Sequence, residues 1–407
     1  MKVAIAAEGT RGDIHPMLLL SRTLSTAGHR VRFCCPPDFV TEATATGAEV
    51  VSLGAEVRAF IERGAAAVHG GGVAMMREMA NWADLSIDNQ FRTLPDAVAG
   101  CDIVFGAGTI VAGASAAELN GVPYRTILYT PAVAPSADHT PCIVPFQFRS
   151  RLLNRLLWRT ARVFLNVAVR RELDRKRAAL GLQPVRDVLR HFLSERPVLA
   201  VDRPLAPMPA DCPFDWTQIR GLHALNGAPL PAKLENFLDQ GPAPVYIGFG
   251  SMPDPDPQRT TRRLLEAIGQ LGCRAVISRG WAGLGDGPLP EGVIVVDAVD
   301  HSRLFPRMAV IVHHGGSGTT HSAARAGVPQ IIVPHVLDQF YFARRIVDLG
   351  VGMATSSRGR LDVASLVTSL RALLDNEFVA ERARSLGAEL ADLGRVEPDL
   401  DALLSGR

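Results

Sequence analysis

The sequence predicts an α/β protein with two open parallel sheets that face each other across a cleft. In both halves of the chain, short apolar runs alternate with segments of helical periodicity, as in parallel sheets that helices cover on both faces. A length of 407 residues is too great for one ordinary core and predicts two domains of about 200 residues each. A proline-rich stretch of low periodicity separates the two halves.

The first domain is expected at residues 1–202. Its first strand, at residues 3–6, runs into a polar turn that contains glycine, and an amphipathic helix over residues 16–27 is stopped by Gly28. A further helix is expected over residues 111–119. The other predicted strands of this domain share an apolar composition and lie at residues 31–35, 49–53, 103–106, 125–128 and 198–201.

A proline-rich linker region at residues 203–243 is expected to precede the second domain at residues 244–390. Residues 391–407 are expected to form a C-terminal helix, with a return to the first domain as one option. Ligands of open parallel sheets bind at the carboxyl ends of the strands, so a small molecule is expected in the cleft. The predicted strands of the second domain lie at residues 245–248, 275–278, 293–296, 310–313 and 331–333.

The composition describes a globular protein and excludes several classes of function. Hydrophobic residues make up 47% of the chain and charged residues 21%, and a net charge of +2 gives no electrostatic reason to expect nucleic acid. No apolar run is long enough to span a membrane, and the short apolar start lacks the core of a signal peptide, so we expect a soluble, cytoplasmic protein. The six cysteines lack metal-binding spacing and are expected to be free thiols, with no metal site.

The segment at residues 149–177 is strongly basic and also carries apolar side chains at helical spacing. A basic amphipathic helix can lie on a membrane surface. The alternative, which we prefer on sequence grounds, is a surface helix with a solvated charged face and the acidic neighbours Glu172 and Asp174. Membrane association is therefore kept as an option that the sequence does not favour.

The sequence HHGGSGTT at residues 313–320 is expected to bind an anion. It follows an apolar strand and opens a helix, so backbone N–H groups and the positive end of the helix dipole would face one ligand. The third glycine of a dinucleotide fingerprint and the lysine of a P-loop are both missing. His313 and His314 should point in different directions, which argues against a shared metal ion. Asp338 and Gln339, at the end of the next strand, suggest a group rich in hydroxyls beside the anion.

Four segments of the chain together form a pattern that belongs to one kind of enzyme. They are GTRGDIHP at residues 9–16, GFGSM at 248–252, HHGGSGTT at 313–320, and the stretch from GVP to DQ at 327–339. The pattern resembles the nucleotide-sugar-dependent glycosyltransferases with the GT-B fold, and more narrowly the branch that acts on antibiotic aglycones, sterols and lipids. The resemblance extends over nearly the whole chain. It implies two Rossmann-like domains, the first for the acceptor and the second for the sugar nucleotide.

The resemblance also implies a donor site in the second domain. His314 would hydrogen-bond the diphosphate, and Val299 would meet the base through its backbone. Asp338 and Gln339 would hold the hydroxyls of the sugar, because carboxylate and amide groups can each bond two neighbouring hydroxyls. The other residues would offer N–H or hydroxyl groups to the phosphates, and they are Ser251, Gly316, Ser317, Gly318 and Thr319.

Arg11 and Arg279 are weaker candidates for the phosphate charge, and a surface ion pair is the alternative for each. Many UDP-sugar relatives carry a glutamate for the ribose hydroxyls where this chain has Ser322. The missing acid favours a deoxyribose, and hence a dTDP-sugar over a UDP-sugar as donor. Trp82, Phe146 and Phe148 lie in two irregular insertions of the first domain and are expected to line an acceptor pocket, with packing against the following helices as the alternative.

Asp13 is the predicted general base, where many relatives of this kind carry a histidine. A free aspartate, with a pKa of about 3.9, is a poor base for an alcohol unless burial raises its pKa. Asp13 could instead cap the helix that contains Pro16. His15 is the second candidate for the base, although a structural role at the helix start is its more natural interpretation.

The sequence thus predicts an inverting, metal-independent glycosyltransferase without a bound cofactor. Its partners would be a sugar nucleotide, with deoxysugars among the candidates, and a hydrophobic natural-product aglycone, and the protein would be a monomer or a homodimer. Three alternatives remain open on sequence grounds: a membrane-associated sterol or lipid glycosyltransferase, a non-catalytic helper of a glycosyltransferase, and a sugar-nucleotide epimerase of similar fold.

Overall fold

Seven parallel strands form the first sheet of the protein. The computed structural model describes residues 1–59, 72–222, 228–355, 362–393 and 400–404. It describes the side chains of all these residues except 72–83. The strands are β1 (Lys2–Glu8), β2 (Arg30–Cys35), β3 (Glu49–Ser52), β4 (Ile103–Gly108), β5 (Tyr124–Leu128), β6 (Val198–Ala200) and β7 (Thr217–Ile219). Their order across the sheet is β3-β2-β1-β4-β5-β6-β7. β1 is almost completely buried, as expected for a central strand that is covered on both faces.

Six parallel strands form the second sheet. They are β8 (Val245–Gly248), β9 (Ala275–Ser278), β10 (Val293–Val296), β11 (Val310–His313), β12 (Gln330–Ile332) and β13 (Gly352–Ala354). The order across the sheet is β10-β9-β8-β11-β12-β13. The two central strands, β8 and β11, are buried along their whole length. The alternating pattern of the sequence thus correctly indicated two parallel sheets.

Helices connect successive strands of each sheet. In the first domain they are α1 (Arg11–Thr26), α2 (Val40–Thr44), α3 (Gly72–Ala97), α4 (Gly113–Asn120), α5 (Arg151–Ala179) and α6 (Val188–Leu193). In the second domain they are α7 (Ala232–Asp239), α8 (Pro257–Leu271), α9 (His301–Leu304), α10 (Ser317–Arg325), α11 (Gln339–Asp348), α12 (Val363–Leu374) and α13 (Glu377–Asp392). A short last helix, α14 (Leu400–Leu404), follows.

The first helix, α1, begins earlier than the sequence predicted. Thr10 and Asp13 form a capping box, in which each side chain accepts a hydrogen bond from backbone N–H groups at the start of the helix. The helix therefore starts at Arg11, and Pro16 lies inside it. The capping box brings Asp13 to the first turn, directly after the carboxyl end of β1.

The first sheet extends beyond the predicted domain boundary at residue 202. β7 pairs with β6 and lies within residues 203–243, which the sequence analysis assigned to a linker, and α7 lies there as well. The prolines mark an irregular loop between β6 and β7, and the Gln218 side chain closes this loop. Its amide donates to the carbonyls of Val201 and Ala206 at 3.0 and 3.1 Å, and accepts from the N–H of Met208 at 3.1 Å.

The last helix, α14, packs against the first domain although α13 belongs to the second. Leu403 is fully buried in the core beneath the first sheet. The Arg125 guanidinium on β5 donates to the carbonyl oxygens of Ala402 and Leu403 at 3.1 and 2.8 Å. The chain therefore passes between the domains twice.

An apolar cluster joins the two domains on one side of the cleft. Leu199 and Val201 of the first domain pack in the same buried cluster as Tyr341 and Phe342 of α11. Elsewhere, all six cysteines are free. Within the described part of the chain, no helix combines the length and the apolar content that a bilayer crossing requires.

Candidate functional site

The strand order of each sheet reverses at a central strand, which is where open parallel sheets bind ligands. β1 lies between β2 and β4, and β8 lies between β9 and β11. The crevice outside the carboxyl ends of such strands is the usual binding site. The segments with the predicted site residues follow β1, β8, β11 and β12, and they meet at this edge of the two sheets.

Asp13 is held in one orientation by the turn that precedes it. Its Oδ2 accepts hydrogen bonds from the backbone N–H and the hydroxyl of Thr10, at 2.8 and 3.3 Å. Burial raises the pKa of Asp13 to about 6, although the hydrogen bonds from Thr10 act in the opposite direction. Asp13 can cap the helix and still meet a ligand, because Oδ2 makes both bonds to Thr10 and Oδ1 takes no part in the cap.

Gly9 leaves the space that the Asp13 carboxylate occupies. Its φ is +139°, and a Cβ there would lie 2.7 Å from Asp13 Cγ. Tyr129, after β5, donates its hydroxyl to the Asp13 carbonyl at 3.0 Å. The pKa of Tyr129 is raised well above its usual value by burial and, next, by the charge of Asp13. The contact between Tyr129 and Asp13 was not apparent from the sequence, because it joins segments that are distant along the chain.

His15 turns away from the position of Asp13 and contacts α2. Its Nε2 lies 3.3 Å from Glu42 Oε2, and its ring meets Phe39 edge-on at a centroid distance of 6.3 Å. Burial lowers the pKa of His15. These contacts are those of a structural residue, and the alternative role of His15 as the base stays a prediction.

The start of α10 is an uncapped helix terminus. Gly316 is the N-cap residue, and in the described structure it makes no side-chain capping hydrogen bond. The N–H groups of Ser317, Gly318 and Thr319 fall in the first turn and have no acceptor within the helix. Three aligned donors at the positive end of a helix dipole suit an anion with several oxygens, such as a diphosphate.

The two adjacent histidines before this helix point in different directions, as predicted. His313 is fully buried, accepts a hydrogen bond from the Gly315 N–H at Nδ1 and contacts the Gln330 amide oxygen through Nε2 at 2.9 Å. His313 is thus a structural residue. His314 is half-buried, and a Cβ at Gly316 would lie 2.5 Å from its Nε2. His314 therefore lies against the start of α10.

Burial lowers the pKa of His314 well below its usual value, and the nearby His313 and His335 act in the same direction. The ring is therefore neutral at physiological pH and carries one N–H. Its Nδ1 is buried and has no hydrogen-bond partner among the described residues. A neutral imidazole beside three backbone N–H groups can donate one hydrogen bond to a phosphate oxygen.

Asp338 precedes α11 on the second domain. Burial and, next, the negative charge of Asp13 raise the pKa of Asp338 to about 7. Leu337 just before it has a φ of +53°, which is a strained backbone conformation for a leucine. The two acids belong to opposite domains, and each follows the carboxyl end of a strand, β1 for Asp13 and β12 for Asp338.

The side chain of Gln339 is hydrogen-bonded to the backbone of its own loop. Its amide oxygen accepts from the N–H groups of His335 and Val336 at 2.7 and 3.1 Å, and its amide nitrogen lies 3.4 Å from the sulfur of Met252. The amide oxygen is therefore already occupied by two donors. Contact with a sugar, which the sequence analysis expected, stays a prediction that rests on the amide nitrogen.

Arg11 reaches across the cleft. Its guanidinium carbon lies 6.0 Å from the centre of the Trp281 ring, in the loop after β9. This distance permits a cation–π interaction between the two domains. Trp281 was not found by sequence reasoning, since a lone tryptophan in a glycine-rich loop carries no recognisable motif.

The other predicted donor residues lie nearby with less defined roles. Arg279 forms ion pairs with Asp286 and Asp297, so the structure shows the surface ion pair that was the alternative for this residue. Ser251 follows β8 and is half-buried, and Val299 packs partly buried beside α9. Their contacts with a donor stay predictions.

His321 and Ser322 lie where the chain lacks a glutamate for the ribose hydroxyls, and their side chains face different surroundings. Ser322 is half-buried and donates its hydroxyl to the Gly318 carbonyl at 2.9 Å, within its own helix. His321 is fully buried, and its Nε2 accepts from the Asp202 N–H at 3.3 Å. Asp202 is also paired with Arg325, whose guanidinium donates to both carboxylate oxygens. Helix α10 is thereby bonded to the first domain.

Two of the three predicted acceptor residues contact each other, and the third lies outside the part of the chain whose side chains the structure describes. The Trp82 side chain lies outside the described residues. Phe146 and Phe148 contact each other edge-on at 4.9 Å, and within the described residues no recorded hydrogen bond or ring contact joins either of them to Asp13 or Asp338. Their role as pocket residues stays a prediction.

A different residue of the same insertion reaches the site. Cys142 is half-buried, and its pKa is raised to about 12 by burial and, next, by the charge of Asp338. Cys142 packs against the buried cluster that joins the two domains, so the insertion after β5 reaches the boundary between the domains at Cys142, before the two phenylalanines. Sequence reasoning passed over this residue because an isolated cysteine in a loop has no pattern.

Comparison with known proteins places this geometry among sugar-transferring enzymes. Residues 262–397 match the family model described as the C-terminal domain of erythromycin biosynthesis protein CIII-like proteins. The chain is 36% identical to glycosyltransferase GtfC of Amycolatopsis orientalis, with 87% of this chain and 86% of the relative covered. It is 34% identical to the dTDP-epi-vancosaminyltransferase of the same organism, with 95% and 92% covered.

The overall structure is similar to solved structures as well. The glycosyltransferase VinC, solved in complex with dTDP, superposes with a TM-score of 0.69 over 97% of this chain and 96% of VinC. The two sequences are 21% identical, so this similarity concerns the fold.

Proposed function

The chain belongs to the glycosyltransferase family that contains these relatives and has the GT-B fold, and we propose that it moves a sugar from dTDP or UDP to a hydroxyl of a hydrophobic natural-product aglycone. The proposed transfer inverts the anomeric carbon and needs no metal ion. The observation that supports the proposal is the contact of Arg11 with Trp281 at 6.0 Å, because it brings the first turn of α1, which also carries Asp13, to face the second domain across the cleft.

Asp13 acts in this proposal as the general base. The acceptor hydroxyl gives its proton to the Asp13 carboxylate while its oxygen forms a bond to the anomeric carbon. With a pKa of about 6, Asp13 is mostly ionised near neutral pH and is a stronger base than an ordinary aspartate. Attack from the side opposite to the leaving diphosphate accounts for the inversion.

The bond from the anomeric carbon to the phosphate oxygen breaks in the same step, and the nucleoside diphosphate leaves with the electron pair. The first-turn N–H groups of α10 and one N–H of neutral His314 would receive the developing charge. These donors support a metal-independent transfer, because they provide a positive, preorganised environment for the diphosphate.

A dTDP-sugar is the preferred donor. Ser322 stands where many UDP-sugar enzymes carry an acid, and its hydroxyl is bonded to the carbonyl of Gly318. Without that acid, the site makes no charged hydrogen bond to a 2′-hydroxyl, so a deoxyribose should bind about as well as a ribose. The binding of dTDP by VinC and the dTDP in the name of the vancosaminyltransferase support the same choice.

A natural-product aglycone is the preferred acceptor. The matching family model is described by a protein of erythromycin biosynthesis, which supports an acceptor of this kind. The half-buried thiol of Cys142 near Asp338 supports a partly apolar surface beside the sugar.

The test is transfer from dTDP-glucose and UDP-glucose to a panel of phenolic and alcoholic aglycones. We expect release of nucleoside diphosphate that depends on the acceptor, a β-linked product from the α-linked donor by NMR, and no effect of EDTA. In thermal shift assays, dTDP should stabilise the protein more than UDP. Release without an acceptor, an α-linked product, or stabilisation by ADP or GDP alone would contradict the proposal.

A further inference from the structure

Helix α5 presents a row of large apolar side chains to solvent. The exposed fraction is 77% for Leu152, 66% for Phe164 and 78% for Val167, and it is 58% for both Leu156 and Val163. At 3.6 residues per turn, these five positions fall within about a third of the helix circumference. We refer to these five side chains as the apolar row.

The other face of α5 is already packed against the first domain. Asn154, Trp158, Leu173 and Arg177 are its buried residues, and the Trp158 indole donates to the His139 carbonyl at 3.0 Å. The apolar row therefore faces away from the core. A solvated charged face, which was the preferred interpretation of the sequence, does not account for five protruding apolar side chains in one row.

Positive charge accompanies the apolar row. Arg155, Arg159 and Arg171 are exposed; Arg155 and Arg159 form no ion pair with a described residue, and the charge of Arg171 acts only on Glu172, which is already bonded to Arg175. The sequence from 151 to 171 contains no aspartate or glutamate. In contrast, Arg162 is paired with Asp187 at 2.5 Å. The apolar row is thus flanked by positive charges that no acid of the same stretch neutralises.

This charge pattern decides between possible occupants of the surface. Two copies of α5 packed through the apolar row would bring the arginines of one copy near those of the other, and like charges oppose such a dimer. An occupant with negative charge and an apolar interior satisfies both features. The side chains of the apolar row protrude from the helix, so they can enter a fluid apolar layer and do not require a partner with a matching pocket.

We propose that α5 binds the surface of anionic lipid membranes. The apolar row would enter the boundary between headgroups and acyl chains, and Arg155, Arg159 and Arg171 would contact lipid phosphates. The helix lies parallel to the surface in this arrangement. The proposal does not depend on the identity of the donor or the acceptor.

The surface continues from α5 towards the cleft. Ile143 and Phe146, in the insertion before the helix, are also exposed, and the same insertion reaches the donor side at Cys142. Arg149 pairs with Asp348 of α11 at 3.3 Å, so the start of α5 lies beside the second domain. A membrane on this surface would lie next to the insertion through which an apolar acceptor could enter.

The test is co-sedimentation of the whole protein with vesicles, without donor or acceptor. One set of vesicles contains phosphatidylcholine alone, and the other an equal mixture of phosphatidylcholine and phosphatidylglycerol. We expect binding to the mixed vesicles that weakens as salt is raised. The triple substitution of Arg155, Arg159 and Arg171 by Gln should reduce the partition coefficient by about tenfold or more.

The double variant Leu156→Gln, Phe164→Gln should also reduce partitioning by about tenfold. Phe378, which is 69% exposed on α13, and the exposed Arg371 provide matched controls, and Phe378→Gln and Arg371→Gln should bind like the parent protein. The melting temperature and circular dichroism spectrum of the same variants should match those of the parent protein, which shows that they fold.

Three outcomes would overturn the proposal. The first is no binding to the anionic vesicles, which would leave an acidic protein as the better occupant. The second is binding that the α5 variants and the controls alter equally. The third is a dimer in sedimentation velocity that Leu156→Gln, Phe164→Gln abolishes, because the row would then be an interface between copies of the chain. A failure of sugar transfer would leave all three measurements interpretable.

Discussion

Burial and, next, the negative charge of Asp13 raise the pKa of Asp338, although the two residues belong to different domains. Asp13 follows the central strand of the first sheet, and Asp338 begins a helix of the second. The proton affinity of Asp338 therefore depends on whether Asp13 is ionised.

Replacing Asp13 by Asn should abolish most of the activity. The general-base contribution is typically about 10²–10⁴-fold, so kcat/KM should fall within that range. The affinity for dTDP, measured by calorimetry, should stay within about twofold, since Asp13 lies on the other domain. Equal activity of Asp13→Asn and the parent protein would exclude Asp13 as the base.

The pH profile gives an independent check on the same residue. The active form of the base is ionised, so kcat/KM of the parent protein should rise as the pH rises through about 6 and then level off. The residual activity of Asp13→Asn should lack this rise. A rise that persists in the variant would assign the titration to another group.

Replacing Asp338 by Asn should stabilise the protein at alkaline pH. The folded-state pKa of Asp338 is raised to about 7, above its unfolded value, so the stability that this group contributes is lost as the pH rises from about 4 to 7. At pH 8 the variant should gain about 0.5–2 kcal/mol of unfolding free energy in urea titrations, and at pH 4 the gain should vanish. The exposed Asp375→Asn should change stability by less than about 0.5 kcal/mol at both pH values. Equal gains in unfolding free energy at both pH values would contradict a raised pKa of Asp338.

Replacing Gly9 by Ala should disturb the base. The new Cβ would overlap the Asp13 carboxylate, so kcat/KM should fall by about tenfold or more. Gly28 also has a positive φ, at +84°, and no atom lies within 4 Å of a Cβ placed there. Gly28→Ala therefore carries the backbone strain without the overlap. It should lower the melting temperature and leave kcat/KM unchanged, and an equal loss of activity in both variants would argue that strain alone is responsible.

The buried pair of Asp202 and Arg325 should couple strongly. Removing one partner of a buried ion pair typically costs about 3–5 kcal/mol, because the other charge is left without a partner. Asp202→Asn and Arg325→Met should each cost about this much in unfolding free energy, and the double variant should cost about 1–3 kcal/mol less than their sum. The more exposed pair of Arg344 and Asp348 should show a coupling below about 1 kcal/mol. Additive losses for Asp202 and Arg325 would contradict the inferred pairing.

The central strands of both sheets were predictable, because a buried parallel strand is a short apolar run that local reading detects. β7 was not, since its three residues, Thr217–Ile219, are partly polar and follow a stretch of prolines. Its place in the sheet depends on pairing with β6 and on the hydrogen bonds of Gln218. These are contacts between distant segments, which composition does not encode.

The position of the glycine-rich turn at the start of a helix was predictable for a similar reason. The turn at residues 313–320 is a local motif, and it lies at the start of α10 as expected. The contact between Arg11 and Trp281 was not predictable, because it depends on how two domains face each other. The hydrogen bonds between the Gln339 side chain and the backbone of its own loop were not predictable either. A glutamine beside an aspartate has the same sequence pattern whether it binds a ligand or the backbone.

The double passage of the chain between the domains limits how the cleft can move. One connection follows β7, and the other lies between α13 and α14. Because α14 is anchored in the core of the first sheet while α13 packs with α11 of the second domain, a relative movement of the two domains has to be accommodated at both connections together.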